Sequence, residues 1–256
     1  MPDGMEISCV IPAYQRLDLL TLCLACARAQ RDVRLEIVVS DDSPDDKIGE
    51  VVREIAARDA FVRYLPGARS GNPVDNWNHG LDNATAPLRV LVHQDEHFLD
   101  PGYLARAVRA MNTSGAACSV ARTSVTGVNR PSRFHLVSPI AGRLPRAEWF
   151  LPMINWIGPK AAFVFRGPHR FDRDMVQLAD VEFYRRVLRT GSMVRVSGLC
   201  VGSVGHHRDS ITARIDPAAR ALLDLDILAG RRPAEVGKVQ HALARAIIGL
   251  RARVAR

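Results

Sequence analysis

The first hundred residues alternate short runs rich in Val and Ile with stretches rich in Leu, Ala and charged residues. The β-branched runs predict strands and the other stretches predict helices. Such an alternation favours an α/β fold, with a Rossmann-like, mostly parallel central sheet flanked by helices. The predicted strands are 6–12, 35–40, 62–65 and 88–93, and the predicted helices are 18–30, 47–59 and 74–83.

The second half of the chain is less regular. Its predicted elements are a helix at 102–111, strands at 117–124 and 161–166, and a helix at 178–189. A stretch rich in Pro, Gly, Ser and Arg runs from about 125 to 155, and from Pro217 the composition changes to Ala, Leu and Arg. We therefore expect one domain over 1–215, with a regular half to about residue 100 and a less regular half after it. A basic helical C-terminal extension is expected over 216–256.

The composition is that of a globular protein, with 47% hydrophobic and 24% charged residues in 256. Of the net charge of +8, five units lie in 217–256, which hold eight Lys and Arg against three Asp and Glu. Without a zinc-finger spacing or an RNA-binding aromatic motif, this charge does not favour nucleic acid as a partner. The odd number of cysteines, the lack of a signal peptide and the lack of a long apolar run predict a cytoplasmic protein, with peripheral membrane contact as an open alternative.

Polar residues follow the first, second and fourth predicted strands, at 13–16, 41–46 and 94–97. Ligands of open α/β sheets bind at the carboxyl ends of the strands, so we expect these three segments to form the site. Two of them contain adjacent acids, Asp41 with Asp42 and Asp95 with Glu96. Their charges would repel one another unless a cation or hydrogen-bond donors lay between them.

A series of motifs in one order extends this pattern: SCVIPAYQRLDLL, EIVVSDDSPDD, NWNHGLDNA, VLVHQDEHFLDP, WIGPKAAFVFRG, LADVEFYRRVL and GHHRDSIT. The order resembles that of glycosyltransferase family 2 over about residues 5–215. The resemblance implies an A-type glycosyltransferase fold, with a nucleotide-binding half over about 1–100 and an acceptor half over about 101–215. It also implies a metal-dependent, inverting transfer of sugar from a nucleoside diphosphate, UDP above all, to a hydroxyl of a glycan, lipid-linked or natural-product acceptor.

The resemblance assigns the nucleotide to the first two strand ends. Asp41 or Asp42 would accept a hydrogen bond from the base, although an Asx-turn or a helix cap would also explain these acids. The remaining nucleotide contacts implied in this way are Pro12, Tyr14, Arg16 and Asp95.

A divalent metal, Mn²⁺ or Mg²⁺, is implied at Asp95 and Glu96, since such ions take one or two carboxylates together with phosphate oxygens. Gln94 stands where many members of the family carry the first acid, and His97 is a further candidate ligand. His207 matches a late histidine that would complete the metal site.

Asp180 occupies the place of the catalytic base, which would take the proton of the acceptor hydroxyl. Acids near a helix start are also favoured by the helix dipole, which is the structural alternative. Trp156, Gly158 and Glu182 are the predicted sugar and acceptor pocket, and Trp156 can equally belong to the core.

The tail at 237–256 places Val239, Leu243, Ile247, Leu250 and Val254 three or four residues apart, which predicts one apolar helix face beside Lys and Arg. This face can pack on the body, on a second subunit in a homodimer, or on an anionic membrane. A non-catalytic nucleotide- or glycan-binding relative is the alternative to an enzyme, motivated by Gln94. A nucleotidyltransferase is less favoured, because 12–16 lack a Gly-rich phosphate loop.

Overall fold

The computed structural model describes residues 4–67, 69–127, 130–131, 146–204, 216–231 and 236–254. These ranges contain nine strands: β1 Ile7–Ala13, β2 Leu35–Asp41, β3 Val62–Pro66, β4 Leu88–Leu91, β5 Glu96–Phe98, β6 Cys118–Gly127, β7 Arg130–Pro131, β8 Phe163–Arg166 and β9 Met193–Val204. They also contain seven α-helices: α1 Leu17–Arg28, α2 Lys47–Arg58, α3 Pro73–Asp82, α4 Tyr103–Ser114, α5 Ala179–Leu188, α6 Pro217–Arg231 and α7 Lys238–Val254. Two 3₁₀ helices span Ala147–Phe150 and Lys160–Ala162.

The strands form one mixed sheet in the order β3-β2-β1-β4-β8-β6-β9-β5, with β7 paired to β6. Strands β3, β2, β1 and β4 are parallel, as are β6 and β9. Strand β8 runs antiparallel to β4 and β6, and β5 runs antiparallel to β9. The predicted α/β fold with a C-terminal helical part is confirmed, and its parallel character is concentrated in the N-terminal half.

Helices cover both faces of the sheet, and the strands contribute to both layers in alternation. Cys9 and Ile11 of β1 face a core with α1, α2 and α4, while Val10 faces a second core with α3, α5, α6 and α7. Every residue of β1 and β2 is buried. This explains why these strands appear in the sequence as continuous apolar runs rather than as an apolar-polar alternation.

The C-terminal helices pack into the second core through Leu225 and Leu228 of α6 and Ala244 and Ile248 of α7. The predicted apolar face of α7 mostly points the other way, since Val239, Leu243 and Leu250 are 70%, 45% and 63% exposed. Packing of α7 on the body thus uses a neighbouring face of the helix. Contact with a membrane or a second subunit stays a prediction, as does the domain division at residue 215. In the described part of the chain, no helix combines the length and apolarity needed to cross a membrane.

A buried carboxylate ties three strands together at the end of the sheet opposite the predicted site. Glu36, 4% exposed, accepts hydrogen bonds from Ser8 of β1, from the backbone N–H and hydroxyl of Thr85 (2.9 and 3.0 Å), and from Arg63 of β3. Burial alone would raise the pKa of Glu36, but these hydrogen bonds outweigh it and hold the pKa below its usual value.

We expect Glu36→Gln to lower the free energy of unfolding by about 1–3 kcal/mol. Arg63 would lose a charged partner, and the side-chain NH₂ group of the glutamine would face the groups that donate hydrogen bonds to Glu36. The lowered folded-state pKa means that the ionised Glu36 stabilises the fold above the unfolded-state pKa of about 4.3, and that this stabilisation is lost as the pH falls through the folded-state pKa. The variant should therefore lose less stability than the parent between about pH 5 and pH 3.

Urea unfolding at several pH values measures both effects. Glu50→Gln, on an exposed position of α2, is the matched control and should change stability by no more than about 0.5 kcal/mol. An equal loss in the two variants would contradict the role of Glu36.

Candidate functional site

The three segments that follow β1, β2 and β4 meet at one edge of the sheet. The backbone N–H of Asp42 donates to the carbonyl of Ala13 (3.1 Å), and the N–H of Gln15 donates to the hydroxyl of Ser43 (2.9 Å). The parallel register places Ala13 opposite Asp41, so both strands end at the same level. The residues expected from sequence to lie together at this edge do so.

Gln94 clamps the first of these segments to the third. Its side-chain oxygen accepts from the N–H of Tyr14 (3.0 Å), and its side-chain nitrogen donates to the carbonyl of Tyr14 (2.9 Å). A carboxylate at position 94 could accept from the N–H but could not donate to the carbonyl. The departure from the family pattern at Gln94 thus has a structural role.

Asp41 and Asp42 are held differently. Asp41 is 4% exposed and accepts from the N–H of Ser43 (3.0 Å), which is an Asx-turn, and from the hydroxyl of Tyr64 (3.0 Å). Burial, followed by the charge of Asp41, raises the pKa of Tyr64 to about 12. Asp42 is half-buried and accepts from the N–H of Arg69. Of the two acids, Asp42 is therefore the more accessible to a ligand.

Gly67 lets the segment after β3 close over these acids. A Cβ atom at position 67 would lie 2.7 Å from both the carbonyl oxygen of Asp41 and the Oδ1 atom of Asp42. The backbone N–H of Gly67 donates to that same carbonyl. The composition around Gly67 predicts only a loop, and the close approach of Gly67 to Asp41 and Asp42 could not be predicted from it.

The other predicted nucleotide contacts line the same edge to different degrees. Pro12 is buried in β1 opposite Ser40, whereas the side chain of Tyr14 is 51% exposed just beyond the strand. Arg16 forms an ion pair with Asp18 (2.8 Å). Their contact with a nucleotide stays a prediction.

Glu96 is fully engaged by the protein itself. It is 6% exposed and accepts from the backbone N–H groups of His93 (3.2 Å), Lys160 (3.1 Å) and Ala161 (2.9 Å). Burial and the neighbouring Asp95 raise the pKa of Glu96 to about 8. Asp95 is half-buried, and its carbonyl accepts from the N–H of Val204 at the end of β9 (2.8 Å).

The predicted metal site is only partly within the described residues. Among them, no group of three or more His, Cys, Asp or Glu side chains is arranged to hold a metal ion. His207 lies outside the described residues. His97 packs over Gly202 of β9, where a Cβ atom would lie 2.5 Å from its Nε2 atom. The choice of ligand stays a prediction. Asp95 is half-buried, whereas Glu96 is 6% exposed.

Asp180, the predicted base, lies in the first turn of α5. Its carboxylate forms an ion pair with the ammonium of Lys160. Lys160 is only 6% exposed, and its ammonium lies 4.5 Å from the centre of the Trp77 ring. The Asp180 side chain keeps 26% of its surface exposed. The sequence reasoning missed Lys160, although a lysine between Gly158-Pro159 and an apolar strand was a visible signal.

Trp156, Gly158 and Glu182 have supporting positions. The indole of Trp156 is 1% exposed and donates to the carbonyl of Ala147 (2.9 Å), so this residue is in the core. Glu182, 2% exposed, forms a two-point ion pair with Arg186 (both 2.9 Å). Gly158 has a positive φ of 89° and its carbonyl accepts from Tyr184 (3.1 Å). Contact of these three residues with a sugar stays a prediction.

A cleft of about 580 Å³ opens beside Asp180. One wall comes from the segment before the Lys160 helix and from α5, and the other comes from the C-terminal helices α6 and α7. Its lining includes Leu151, Met153, Val181, Asp216, Ala221, Ile248, Arg251 and Ala252.

Asp224 of α6 fixes the segment that leads into α5. Its carboxylate is 0% exposed, and its Oδ2 atom accepts from the consecutive N–H groups of Val176 (3.0 Å), Gln177 (2.6 Å) and Leu178 (2.8 Å). Arg220, one turn earlier, lies 3.0 Å from its other oxygen. Since Leu178 directly precedes α5, the C-terminal extension helps to set the position of Asp180.

The model of the family described as Glycosyl transferase family 2 matches residues 8–173. Among curated proteins, the chain is 28% identical over 95 residues to a GalNAc(5)-diNAcBac-PP-undecaprenol beta-1,3-glucosyltransferase of Campylobacter jejuni, covering 37% of this chain and 31% of that protein. It is 25% identical over 166 residues to the succinoglycan biosynthesis protein ExoO of Rhizobium meliloti, covering 65% and 45%. The chain thus spans less than half of each of these relatives.

Solved structures share the fold at low identity. The structure of S. aureus TarS 1–349 in complex with UDP-GlcNAc has a TM-score of 0.66 at 14% identity, over 95% of this chain and 70% of that one. The mannosyltransferase PcManGT of Pyrobaculum calidifontis, in complex with GDP-Man and Mn²⁺, has a TM-score of 0.66 at 18% identity, over 99% and 75%. At these identities the likeness concerns the fold alone.

We expect Asp224→Ala to lower the free energy of unfolding by about 2–4 kcal/mol, because three N–H groups bonded to a buried charge lose their acceptor. Asp226→Ala is the matched control two residues along the same helix. Asp226 is about half exposed (47%) and pairs with Arg245 (2.6 Å), so its loss should cost less than about 1 kcal/mol. Chemical denaturation of both variants measures the difference, and similar losses would contradict the anchoring role of Asp224.

Proposed function

Because this chain belongs to glycosyltransferase family 2, we propose that it transfers a sugar, with inversion, from a nucleoside diphosphate to a hydroxyl of an acceptor. The observation that carries this proposal is the arrangement along one edge of the sheet. Asp42 and Asp95 lie in loops that are each hydrogen-bonded to the loop after β1, and Asp180 lines a cleft. Two relatives in structure are described with UDP-GlcNAc and GDP-Man, which supports a nucleotide-sugar donor of this kind.

In the donor half, Asp42 is proposed to accept from the base and the exposed ring of Tyr14 to lie against the nucleotide. UDP is the first donor to test, because the resemblance favours it, and GDP is the second. The lipid-linked, glycan or natural-product nature of the acceptor is a further part of the proposal. The Campylobacter relative, which is described as acting on an undecaprenol-linked saccharide, supports the lipid-linked class.

Asp95 fits a divalent cation better than Glu96 does. Both oxygens of Glu96 accept backbone hydrogen bonds and this residue is only 6% exposed, whereas Asp95 is half-buried and so more accessible to a cation. His207 lies outside the described residues, and it is included because the resemblance implies a late metal-binding histidine at this position. We propose that Asp95 and His207 hold Mn²⁺ or Mg²⁺, with diphosphate oxygens filling the remaining positions. When bound, the cation would stabilise charge on the leaving diphosphate.

Asp180 is proposed to take the proton of the acceptor hydroxyl. Its carboxylate is partly exposed at the cleft and is held by the buried ammonium of Lys160, which limits the orientations that it can adopt. Lys160 acts in this scheme as a positioning residue. The non-catalytic alternative was motivated by Gln94. The hydrogen bonds that Gln94 forms with Tyr14 give a structural reason for a glutamine at this position, which supports the enzyme over that alternative.

We expect Asp180→Asn to lower kcat by about 10²- to 10⁴-fold, the usual contribution of a general base. The affinity for the nucleotide should stay within about twofold, because Asp180 does not contact the donor edge in this scheme. Calorimetry with UDP and GDP measures binding, and a transfer assay with the donor found by that screen measures kcat. Asp174→Asn, an exposed carboxylate ahead of α5, is the control. Near-parental turnover of Asp180→Asn would refute the assignment.

The metal assignment separates two adjacent acids. Asp95→Asn should weaken UDP binding by tenfold or more in Mn²⁺, and should have little effect without the metal, because a neutral amide is a poor ligand for a hard cation. Glu96→Gln should leave the ratio of UDP affinities with and without Mn²⁺ nearly unchanged, while it lowers thermal stability. Calorimetric titration with and without Mn²⁺ tests both, and the reverse pattern would identify Glu96 as the ligand.

A further inference from the structure

The cleft beside Asp180 has two walls of different origin. The first comes from Leu151 and Met153, which precede the Lys160 helix, and from Val181 of α5. The second comes from Ala221 of α6 and from Ile248, Arg251 and Ala252 of α7. The second wall lies wholly beyond residue 173, where the match to the family model ends. This wall therefore lies outside the part of the fold that the family model describes.

The lining of the cleft is mainly apolar, with one cation. Leu151, Met153, Val181 and Ile248 supply aliphatic surface. Arg251 follows the buried Ile248 by three residues and Ala244 by seven, so it lies on the inward side of α7. Within the ranges that the structure describes, Arg251 makes no ion pair or hydrogen bond. Its charge is available to an anion in the cleft.

The carboxylate of Asp216, at the rim of the cleft, already accepts hydrogen bonds from the protein. It accepts from the backbone N–H groups of Ala218 (2.9 Å) and Ala219 (3.1 Å), and so caps the start of α6. Asp180 is likewise paired with Lys160. The two acids of the cleft therefore have partners, whereas its cation has none among the described residues.

The second wall is held rigidly against the first. Asp224 bonds three consecutive N–H groups ahead of α5, and Gln240 of α7, 1% exposed, donates to the carbonyl of Trp149. A volume of about 580 Å³ lies within the usual range of 300–1,000 Å³ for small-molecule sites. A preformed cleft of this size suits a ligand that spans both walls.

We propose that α6 and α7 form the acceptor-binding wall, and that the acceptor carries an apolar moiety and an anionic group, with the anion paired to Arg251 and the reacting hydroxyl beside Asp180. This inference rests on the proposed transfer function for the role of Asp180. The anion can be the phosphate of an amphiphile or the carboxylate of an acidic sugar. Arginine pairs with either through two parallel hydrogen bonds.

The test uses octyl phosphate, octyl glucoside and glucuronate as probes, each below its micelle-forming concentration, titrated calorimetrically into the full chain. Arg251→Gln should weaken binding of octyl phosphate by about tenfold and leave octyl glucoside unchanged, since one charged hydrogen-bonded contact is lost. Ala252→Trp should weaken both octyl compounds by tenfold or more by filling the cleft. Glucuronate that binds with equal dependence on Arg251 would identify a carboxylate as the source of the anion.

Two controls lie on the outward side of the same helix. Arg253→Gln removes a charge and Ala246→Trp adds a ring at exposed positions that do not line the cleft. Both should bind the three probes as the parent does. Binding of octyl phosphate that is insensitive to both Arg251→Gln and Ala252→Trp, or equally sensitive to the control changes, would overturn the proposal.

The two proposals can fail separately. UDP binding is measured in every variant, and it should be unchanged by substitutions in α7. If Asp180→Asn retained transfer while Ala252→Trp still blocked binding of octyl phosphate, the proposal that the cleft binds the acceptor would be supported and the assignment of Asp180 as the base would be refuted. If the cleft variants left probe binding intact while Asp180→Asn abolished transfer, the acceptor wall would be refuted and the transfer function retained.

Discussion

The buried carboxylate of Glu96 connects the two halves of the site. A carboxylate removed from water must find hydrogen-bond donors, and Glu96 finds them in its own turn at His93 and in the backbone of Lys160 and Ala161. These bonds fasten the strand end that carries Asp95 to the segment that carries Lys160. Lys160 in turn pairs with Asp180. The distance between Asp95, the proposed cation ligand, and Asp180, the proposed base, is thus set by a short series of polar contacts.

Much of the fold could be predicted from local pattern. The helix at 178–189 is α5, and the strands at 6–12 and 35–40 are β1 and β2 with shifts of one residue. Their carboxyl ends meet as expected because parallel strands in register end at one edge. Strand β9 was not predicted, because its glycines and irregular register against β6 break the alternation of a regular strand. The outward apolar face of α7 was also not predictable, because periodicity identifies a stripe but not the side on which the body lies.

The sequence predicted which residues lie near the site, but not the contacts that distinguish the role of each one. The sequence identified Asp95 and Glu96 as a pair, and only the structure shows that Glu96 is enclosed by backbone donors and that Asp95 is half-buried. Lys160 and Asp224 were missed because each acts on a segment distant in sequence, and a single chain gives no signal of such pairings. Gln94 appeared to be a defect in an acidic motif. Its paired hydrogen bonds to Tyr14 make it a fastening between two loops.

The cap that Asp224 provides has a consequence for biosynthesis. A ribosome delivers Val176 to Leu178 well before residue 224, and until α6 emerges those three N–H groups lack the carboxylate that they bond in the finished protein. The hydrogen bonds that join the loops after β1, β2 and β4 are made within the first hundred residues, so this part of the proposed nucleotide-binding edge can form earlier during translation. Under the proposed function, a nascent chain would therefore lack a fixed base until α6 had been made, even where the strand ends proposed to hold the donor had already formed.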